Sequence, residues 1–339
     1  MVLSKIIEWD DNRIARKHGL TYGEAWRDPD LAAALPAVTS GDIAMGLALL
    51  GTDDPQLRSL RLHVLSDRTI PLLAKLESGM DQPDPEPDLL MWAGATRVKA
   101  AWEVRTSQRA RDVGPERFKR FHEMLASARE PLLYAAQTTL TPTALDQLQW
   151  FGLGMEIPRE EMDQLWERIV ALDPHHHCAM EGRLQVLCHK WQGSHEEMFT
   201  FAREAPRKAP PGDRSHPLIV QAHFEYAAMA LDDRGLDTYG AVGKMLRDYY
   251  GDPAVTAEVA AAADRWLSGD PSYPTAAADA HCLGSALYVG GDEQRAAAVL
   301  ARAGTVVPEY GALWSYLDTN PAARYARVRT RLGIPLPTV

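Results

Sequence analysis

The most constraining feature of the sequence is the stretch 276–308, where small and large residues recur at a helical spacing. Each half of the stretch carries an apolar stripe that predicts one amphipathic helix. Gly290 and Gly291 separate the two helices, because glycine reaches left-handed dihedrals without steric cost. Asp292 follows as a predicted N-cap, with its carboxylate placed to accept a free backbone N–H. The stretch therefore predicts a helical hairpin.

The two helices of this hairpin are predicted to cross closely, because Gly284 and Ala296 place small side chains where they meet. The spacing resembles one tetratricopeptide repeat at Gly284, Leu287, Gly291, Ala296, Leu300, Ala303 and Pro308. Ala280 stands where that family has an early tryptophan. The resemblance implies a right-handed stack of hairpins whose first helices present side chains to a concave groove.

Aspartate or asparagine followed by proline punctuates the rest of the chain, at Asp28, Asp54, Asp84, Asp173, Asp252, Asp270 and Asn320. The acid or amide can cap a helix, and proline suits its first position because that N–H has no helical partner. Alternation of β-branched residues is nearly absent. The predicted helices cover 29–36, 40–51, 55–77, 87–106, 115–138, 142–153, 158–172, 175–191, 194–205, 215–231, 237–250, 253–268, 275–289, 292–303 and 308–330, with breaks near Pro71 and Pro321. The predicted fold class is all-α, a tetratricopeptide-like α-solenoid of antiparallel helical hairpins.

Three regions are predicted along the chain. Residues 1–80 form an irregular helical N-terminal region, and residues 81–88 form a linker rich in proline and aspartate. Residues 89–339 form a tetratricopeptide-like helical-repeat domain. A central hairpin, broken at Gly193 and capped at Ser194, supports the array because it is nearly as regular as the C-terminal one.

Three further segments carry a second resemblance: Lys190–Ala205, Ala101–Arg105 and the pair Ala222-His223. Together they resemble a family of uncharacterised actinobacterial proteins with tetratricopeptide-like helices, over most of the chain after Asp88. The resemblance implies the helical fold and carries no assigned function.

Composition restricts the partners. The net charge of −10 and the pI of about 5.6 argue against a nonspecific nucleic-acid binder. No run approaches the roughly 18 apolar residues of a membrane span, so no membrane partner is expected. The three cysteines form no CxxC pair and the N-terminus lacks the apolar core of a signal peptide, which together predict a cytoplasmic protein.

The sequence contains partial matches to catalytic and metal-binding motifs, and each match is incomplete. His195-Glu196 begins like a zinc-protease motif, but Phe199 stands where the second histidine would be. The adjacent imidazoles of residues 175–177 fan around a helix and cannot converge on one ion. Phosphate-binding glycine loops and dinucleotide fingerprints are missing from the sequence. We therefore predict no catalytic residue, no metal ligand and no cofactor.

Charge is concentrated in the stretch 97–120, which has eight positive and three negative side chains in an otherwise acidic chain. Such a basic ridge would receive an acidic peptide, a phosphate or the carboxylates of a partner. Arg105 beside Trp102 would form a recognition shelf at its centre.

The predicted function is a non-enzymatic scaffold that binds a protein or peptide segment, with an acidic segment favoured. The candidate binding residues are Trp102, Arg105, His177, Lys190, Trp191, His195, His223 and His281. The alternative is an enzyme or a biosynthetic accessory protein with a polar pocket built from His177, His195 and His223. A third hypothesis is a homo-oligomer that associates through exposed helical ends.

Overall fold

The structure, a computed structural model, describes residues 11–80, 84–106 and 113–335. These residues are almost entirely helical, which confirms the predicted all-α class. They fall into two compact units, one formed by Asp28–Gly193 and the other by Met1–Arg27 together with Ser194–Val339. Within the described ranges, no helix combines the length and the apolar character that a membrane span requires.

The Asp28–Gly193 unit contains nine α-helices among its described residues. They are α1 (Pro29–Thr39), α2 (Ile43–Leu50), α3 (Pro55–Arg68), α4 (Leu73–Met80), α5 (Pro87–Arg105), α6 (Pro115–Thr138), α7 (Pro142–Gly154), α8 (Arg159–Leu172) and α9 (His177–Leu187). A 3₁₀ turn at Ile70–Leu72 lies between α3 and α4, where the sequence predicted a break near Pro71.

The core of this unit joins the helices on both sides of the predicted linker. Trp92 of α5 is fully buried and donates its indole N–H to Thr69 Oγ1 at 3.0 Å, just after α3. Arg58 of α3 also forms an ion pair with Asp88 at the start of α5. The described part of the predicted linker, 84–88, thus lies inside one unit, because α3 and α5 pack directly together. Residues 81–83 lie outside the described residues.

The other unit continues the helical series from residue 195. Its helices are α10 (His195–Glu204), α11 (Leu218–Asp233), α12 (Tyr239–Tyr250), α13 (Pro253–Leu267), α14 (Ala276–Gly290), α15 (Glu293–Leu300), α16 (Trp314–Leu317) and α17 (Pro321–Arg331). Ala205–Lys208 adds a 3₁₀ turn, and residues 11–17 are also helical.

Two short strands interrupt the helical pattern in this unit. Strand β1 (Thr21–Gly23) pairs in parallel with β2 (Val306–Pro308), with Thr21 opposite Val306. The predicted helix 308–330 was wrong in its first part, which contains the last residue of β2, a loop and the short α16. The reason is local: Gly311 has a φ of +80°, which ends regular helical backbone there.

The C-terminal hairpin follows its sequence closely. Gly284 lies against Leu300, and a Cβ at position 284 would overlap the leucine side chain. Gly291 adopts the left-handed conformation with φ +90°, and the Asp292 carboxylate accepts the Arg295 N–H at 3.0 Å. The predicted glycine break and aspartate cap are both confirmed, and α14 and α15 cross closely because residue 284 has no side chain.

Asp-Pro and Asn-Pro pairs cap helices at four of the seven positions. The side chains at Asp28, Asp54, Asp252 and Asn320 accept backbone N–H groups at the starts of α1, α3, α13 and α17. The aspartates at positions 84, 173 and 270 cap no helix, because the N-cap residues of the helices that follow them are Glu86, His176 and Thr275. Asp173 instead ends α8 and accepts the His175 N–H, which turns the chain toward α9.

Candidate functional site

The Asp28–Gly193 unit encloses a cavity of about 320 Å³ between α3, α5, α7 and α9. We call it the tryptophan cavity. Its lining consists of Ser59, His63, Ala95, Val98, Lys99, Trp102, Asp146, Gln147, Trp150, Leu153, Cys178, Glu181, Gln185, Lys190 and Trp191. The volume lies at the lower end of the range for ligand pockets, which suits a small molecule or a single side chain.

One wall of the tryptophan cavity is aromatic. Trp102 makes an edge-to-face contact with Trp191, with ring centroids 5.7 Å apart and planes at 87°. The Arg105 guanidinium lies 5.8 Å from the Trp102 ring and 5.9 Å from the Trp191 ring, within cation–π range. Trp150 extends the wall from α7. The buried indole N–H of Trp102 has no hydrogen-bond partner among the described residues.

Two glycines let the surrounding helices approach closely. A Cβ at Gly154 would lie 2.6 Å from a methyl group of Leu125 and 3.3 Å from the Trp102 ring. A Cβ at Gly182 would lie 3.0 Å from Asp146 Oδ1. Since these approaches are shorter than ordinary contacts, side chains there would displace the groups that line the cavity.

The polar side of the cavity centres on Asp146 of α7, which is 2% exposed. Its Oδ1 accepts a hydrogen bond from Gln149 Nε2 at 3.3 Å. Burial raises the pKa of Asp146 to about 7, with a further upward contribution from Glu181 and opposing ones from Gln149 and Lys99. Near neutral pH, this carboxyl group is therefore poised between the acid that donates a hydrogen bond and the carboxylate that accepts one.

His63 and Lys99 form the cationic corner of the cavity. Lys99 Nζ lies 3.2 Å from His63 Nδ1. The ammonium lowers the pKa of His63, because a second positive charge beside it would be repelled. His63 is itself exposed, so the neighbouring charge outweighs burial as the cause. At neutral pH, Lys99 carries the positive charge of this corner and the imidazole is neutral.

A chain of hydrogen bonds holds Ser59 at the cavity. Ser59 Oγ lies 2.9 Å from His176 Nε2, and His176 Nδ1 lies 3.3 Å from Asp173 Oδ2. Thr143 Oγ1 lies 2.8 Å from the same serine oxygen. Gln56 Nε2 donates to Asp173 Oδ2 at 3.1 Å and fixes the carboxylate. A serine, a histidine and an aspartate are thus connected in the order of a nucleophilic triad.

Four of the eight predicted binding residues meet at this cavity. Trp102, Lys190 and Trp191 line it, and Arg105 packs on the two indole rings. His177 is buried beside the cavity without lining it. Its backbone N–H donates to Gln56 Oε1 at 3.1 Å, and its Nδ1 lies 3.8 Å from Glu181.

The other three predicted residues belong to the second unit. His223 Nδ1 lies 2.7 Å from Tyr249 OH, and His223 Nε2 donates to Glu258 Oε2 at 3.1 Å. Arg203 binds the same carboxylate. Burial lowers the pKa of His223 despite the Glu258 charge. His195 makes an edge contact with the Tyr226 ring, with centroids 4.8 Å apart.

His281 is a core residue with no exposed surface. Its Nδ1 accepts the Trp314 indole N–H at 3.1 Å, and its Nε2 lies 3.1 Å from the Val306 carbonyl oxygen. Burial lowers the pKa of His281 to about 3, so the ring is neutral at physiological pH. Both ring nitrogens are used inside the protein.

The basic stretch 97–120 does not act as one ridge among the described residues. Arg97 binds Glu77 and the Ser127 carbonyl, whereas Lys99 and Arg105 turn toward the tryptophan cavity. Arg109 and Arg111 lie outside the described residues. In the described part of the chain, no cluster of three or more histidine, cysteine, aspartate or glutamate side chains is arranged to hold a metal ion.

Sequence reasoning missed the polar half of the cavity, formed by Ser59, His63, Asp146 and His176. One signal was present: Asp146 is the one charged residue in the sequence of α7, most of whose residues are apolar. A charged residue on an apolar helix face requires an unusual environment. Ser59 gave no comparable signal, because its partner His176 is 117 positions away along the chain.

Comparison with known proteins leaves the site without a precedent: no protein-family model, no curated protein and no solved structure matches this chain.

Proposed function

We propose that this chain is a non-enzymatic binding protein that holds an acidic peptide segment, with one apolar side chain of the segment inserted into the tryptophan cavity. The observation that carries the proposal is the convergence of Trp102, Trp150 and Trp191 on an open volume that also borders charged groups. As part of this proposal, the helices form a tetratricopeptide-like array in the cytoplasm. The close α14–α15 crossing supports the array, and the three free cysteines support the cytoplasmic location.

The aromatic wall supports an apolar anchor. Tryptophan side chains bury a large area at little cost in conformational entropy, and they are enriched where binding energy is concentrated. Arg105 holds the Trp102 and Trp191 rings from behind, so the wall is ordered before a ligand arrives. A preorganised wall loses less entropy on binding, which favours affinity.

The charges around the cavity favour an anionic ligand. Lys99 and Lys190 line it and Arg105 packs on its aromatic wall, whereas Asp146 and Glu181 are its two lining carboxyl groups. Because the pKa of Asp146 is about 7, this group is partly protonated near neutral pH and offsets only part of one positive charge. A carboxylate of the ligand would therefore be attracted to the cavity mouth, where Lys190 is exposed.

The test is a binding titration with synthetic peptides of about eight residues, a length that can span such a cavity and its rim. One peptide carries glutamates around a central leucine, a second replaces the glutamates by lysines, and a third replaces the leucine by glycine. We expect the first to bind and to change the tryptophan fluorescence, and the other two to bind at least about tenfold more weakly. Equal binding of all three peptides would contradict the proposal.

Two variants locate the binding. Lys190→Glu reverses an exposed charge at the cavity, and Lys208→Glu is the matched control in the other unit. We expect about a tenfold loss of affinity for the acidic peptide in the first variant only. The peptide should also protect the half-buried Cys178 from maleimide, since this thiol lines the cavity and Cys188 and Cys282 are buried. Equal losses in both variants, or an unprotected Cys178, would place the peptide elsewhere.

The second candidate function is ester or amide hydrolysis in the same cavity, favoured by the Ser59–His176–Asp173 chain. Ser59 Oγ would attack the substrate carbonyl carbon while His176 Nε2 takes its proton. The imidazolium would then return that proton to the leaving oxygen or nitrogen, and water would release the acyl group from Ser59. A fluorophosphonate probe should label the native chain and fail to label Ser59→Ala. An unlabelled native chain would remove this candidate.

A further inference from the structure

The second unit contains another cleft, of about 590 Å³, that is separate from the proposed peptide site. Three arginines, Arg27, Arg302 and Arg329, line it, and Asp270 is its acidic lining residue. We call it the arginine cleft. The Asp270 side chain is 94% exposed and lies 3.3 Å from Arg302, so it compensates one guanidinium at the outer edge.

Arg329 is the unusual member of the three. Its side chain is only 3% exposed, and it has no carboxylate partner among the described residues. Its Nη1 donates to the Gly304 carbonyl oxygen at 3.3 Å, and its Nη2 donates to the Pro335 carbonyl oxygen. Its Nε is buried without an acceptor. Its guanidinium also lies 5.7 Å from the centre of the Tyr325 ring. A buried guanidinium that meets two carbonyl groups and a neutral ring has no anionic partner for its charge.

Arg27 approaches the same point. Its Nη2 would lie 3.0 Å from a Cβ at Gly304, the residue whose carbonyl oxygen binds Arg329. Gly304 has a φ of +70°, and the absence of a side chain there leaves room for the Arg27 guanidinium. Two positive groups thus converge beside Gly304 without a carboxylate between them in the described structure. Such an arrangement attracts an anion.

The start of α14 adds a third feature. Ala276 and Ala277, its first two residues, line the cleft. The N-cap residue Thr275 makes no capping hydrogen bond with its side chain, and its hydroxyl oxygen instead accepts from Arg214 at 3.4 Å. The N-terminal end of this 15-residue helix therefore borders the cleft with its partial positive charge, and the Asp279 carboxylate of its first turn accepts the Tyr273 hydroxyl at 2.6 Å.

We propose that the arginine cleft is a binding site for a phosphate monoester group, held by Arg27, Arg302 and Arg329 at the N-terminus of α14. A phosphate dianion matches this site better than a single carboxylate, because it offers three oxygens to guanidinium groups and carries up to two charges. The open volume leaves room for the organic part of the ester beside Tyr273 and Pro274.

The experiment uses the full chain and inorganic phosphate, titrated by calorimetry at low ionic strength up to about 10 mM. Arg27→Gln is the principal variant, because Arg27 is exposed and its replacement leaves the packing intact. Arg331→Gln is the matched control, since Arg331 lies in the same helix as Arg329 and pairs with Glu293 on the surface at 2.6 Å.

We expect phosphate to bind the native chain and Arg331→Gln alike, and to bind Arg27→Gln about tenfold more weakly. Succinate, the dicarboxylate comparison, should bind more weakly than phosphate to the native chain. The proposal is overturned if phosphate does not bind the native chain in this range, if Arg27→Gln binds it with native affinity, or if succinate binds more tightly. None of these outcomes bears on peptide binding in the tryptophan cavity.

Discussion

The two units both bury titratable side chains, and they do so in different ways. In the second unit, His281 is fully enclosed and each ring nitrogen has a hydrogen-bond partner at 3.1 Å. In the Asp28–Gly193 unit, Asp146 is equally buried but borders an open volume together with Lys99 and His63. One arrangement closes on itself, and the other leaves polar groups facing space that a ligand can fill.

This difference teaches that burial and a shifted pKa do not mark a functional site by themselves. The pKa of His281 is lowered to about 3 by burial, yet its hydrogen bonds are those of a core residue. Asp146 has a raised pKa and lines a cavity. Accessible volume beside the shifted group separates a candidate site from a satisfied core.

The largest expected effect tests the closed arrangement. His281→Ala should lower the free energy of unfolding by about 3 to 5 kcal/mol, because it leaves the Trp314 N–H and the Val306 carbonyl oxygen without partners and opens a void. His63→Ala, at the exposed cavity edge, should change it by less than about 0.5 kcal/mol. Urea unfolding followed by circular dichroism measures both. Similar losses in the two variants would break the comparison.

The second effect tests the open arrangement through Asp146. Its pKa is raised from 3.8 to about 7 in the folded chain, so the folded state binds its proton more tightly than the unfolded state. Between about pH 4 and pH 7 this group therefore reduces stability as the pH rises, by up to about 4 kcal/mol in total. Asp146→Asn removes that contribution, so its stability relative to the native chain should increase over this interval.

Urea unfolding at about pH 4.5 and pH 7.5, which enclose most of this change, measures the margin, that is, the difference in unfolding free energy between Asp146→Asn and the native chain. Asp248→Asn, on the exposed face of α12, should show the same margin at both values. A margin for Asp146→Asn that does not change with pH would mean that the carboxyl group is not held in its protonated form.

A smaller effect concerns the ligand. If an acidic peptide binds beside Asp146, its charge raises the pKa of that carboxyl group further, and protonation favours binding. The groups that act on the pKa of Asp146 are Gln149, Glu181 and Lys99. We expect the affinity to be up to about tenfold higher at pH 6 than at pH 8. Fluorescence titration checks this, and Asp146→Asn should abolish the dependence.

Most of the helices could be predicted because their signals are local. The predicted helix 115–138 is the observed α6, which begins at Pro115 and has an inward apolar face. The C-terminal hairpin depends on Gly284, Gly291 and Asp292, whose roles follow from backbone geometry within a few residues. The strand pair was missed because β1 and β2 are about 285 positions apart in register, a pairing that periodicity cannot reveal.

The residues of the candidate site likewise fall into those that local sequence patterns indicate and those that only tertiary packing brings together. Trp102, Lys190 and Trp191 were found because long polar and aromatic residues stand out on otherwise apolar helices. Ser59 and His176 meet only through tertiary packing. His281 was assigned to a groove, but the helical period does not say which neighbour covers a face. Local sequence patterns therefore predict where helices form. Which neighbouring element covers each helix face depends on tertiary packing.

The smallest effect tests the Asp-Pro pairs, because the same dipeptide caps a helix at some positions and not at others. Asp252 Oδ1 accepts the Ala254 N–H at 2.9 Å and the Val255 N–H at 3.4 Å at the start of α13. Asp270 caps no helix and its side chain is almost fully exposed. Asp252→Ala should therefore cost about 1 kcal/mol of unfolding free energy, and Asp270→Ala less than about 0.5 kcal/mol. Equal losses in urea unfolding would mean that the capping hydrogen bonds of Asp252 add no stability beyond that of an exposed aspartate.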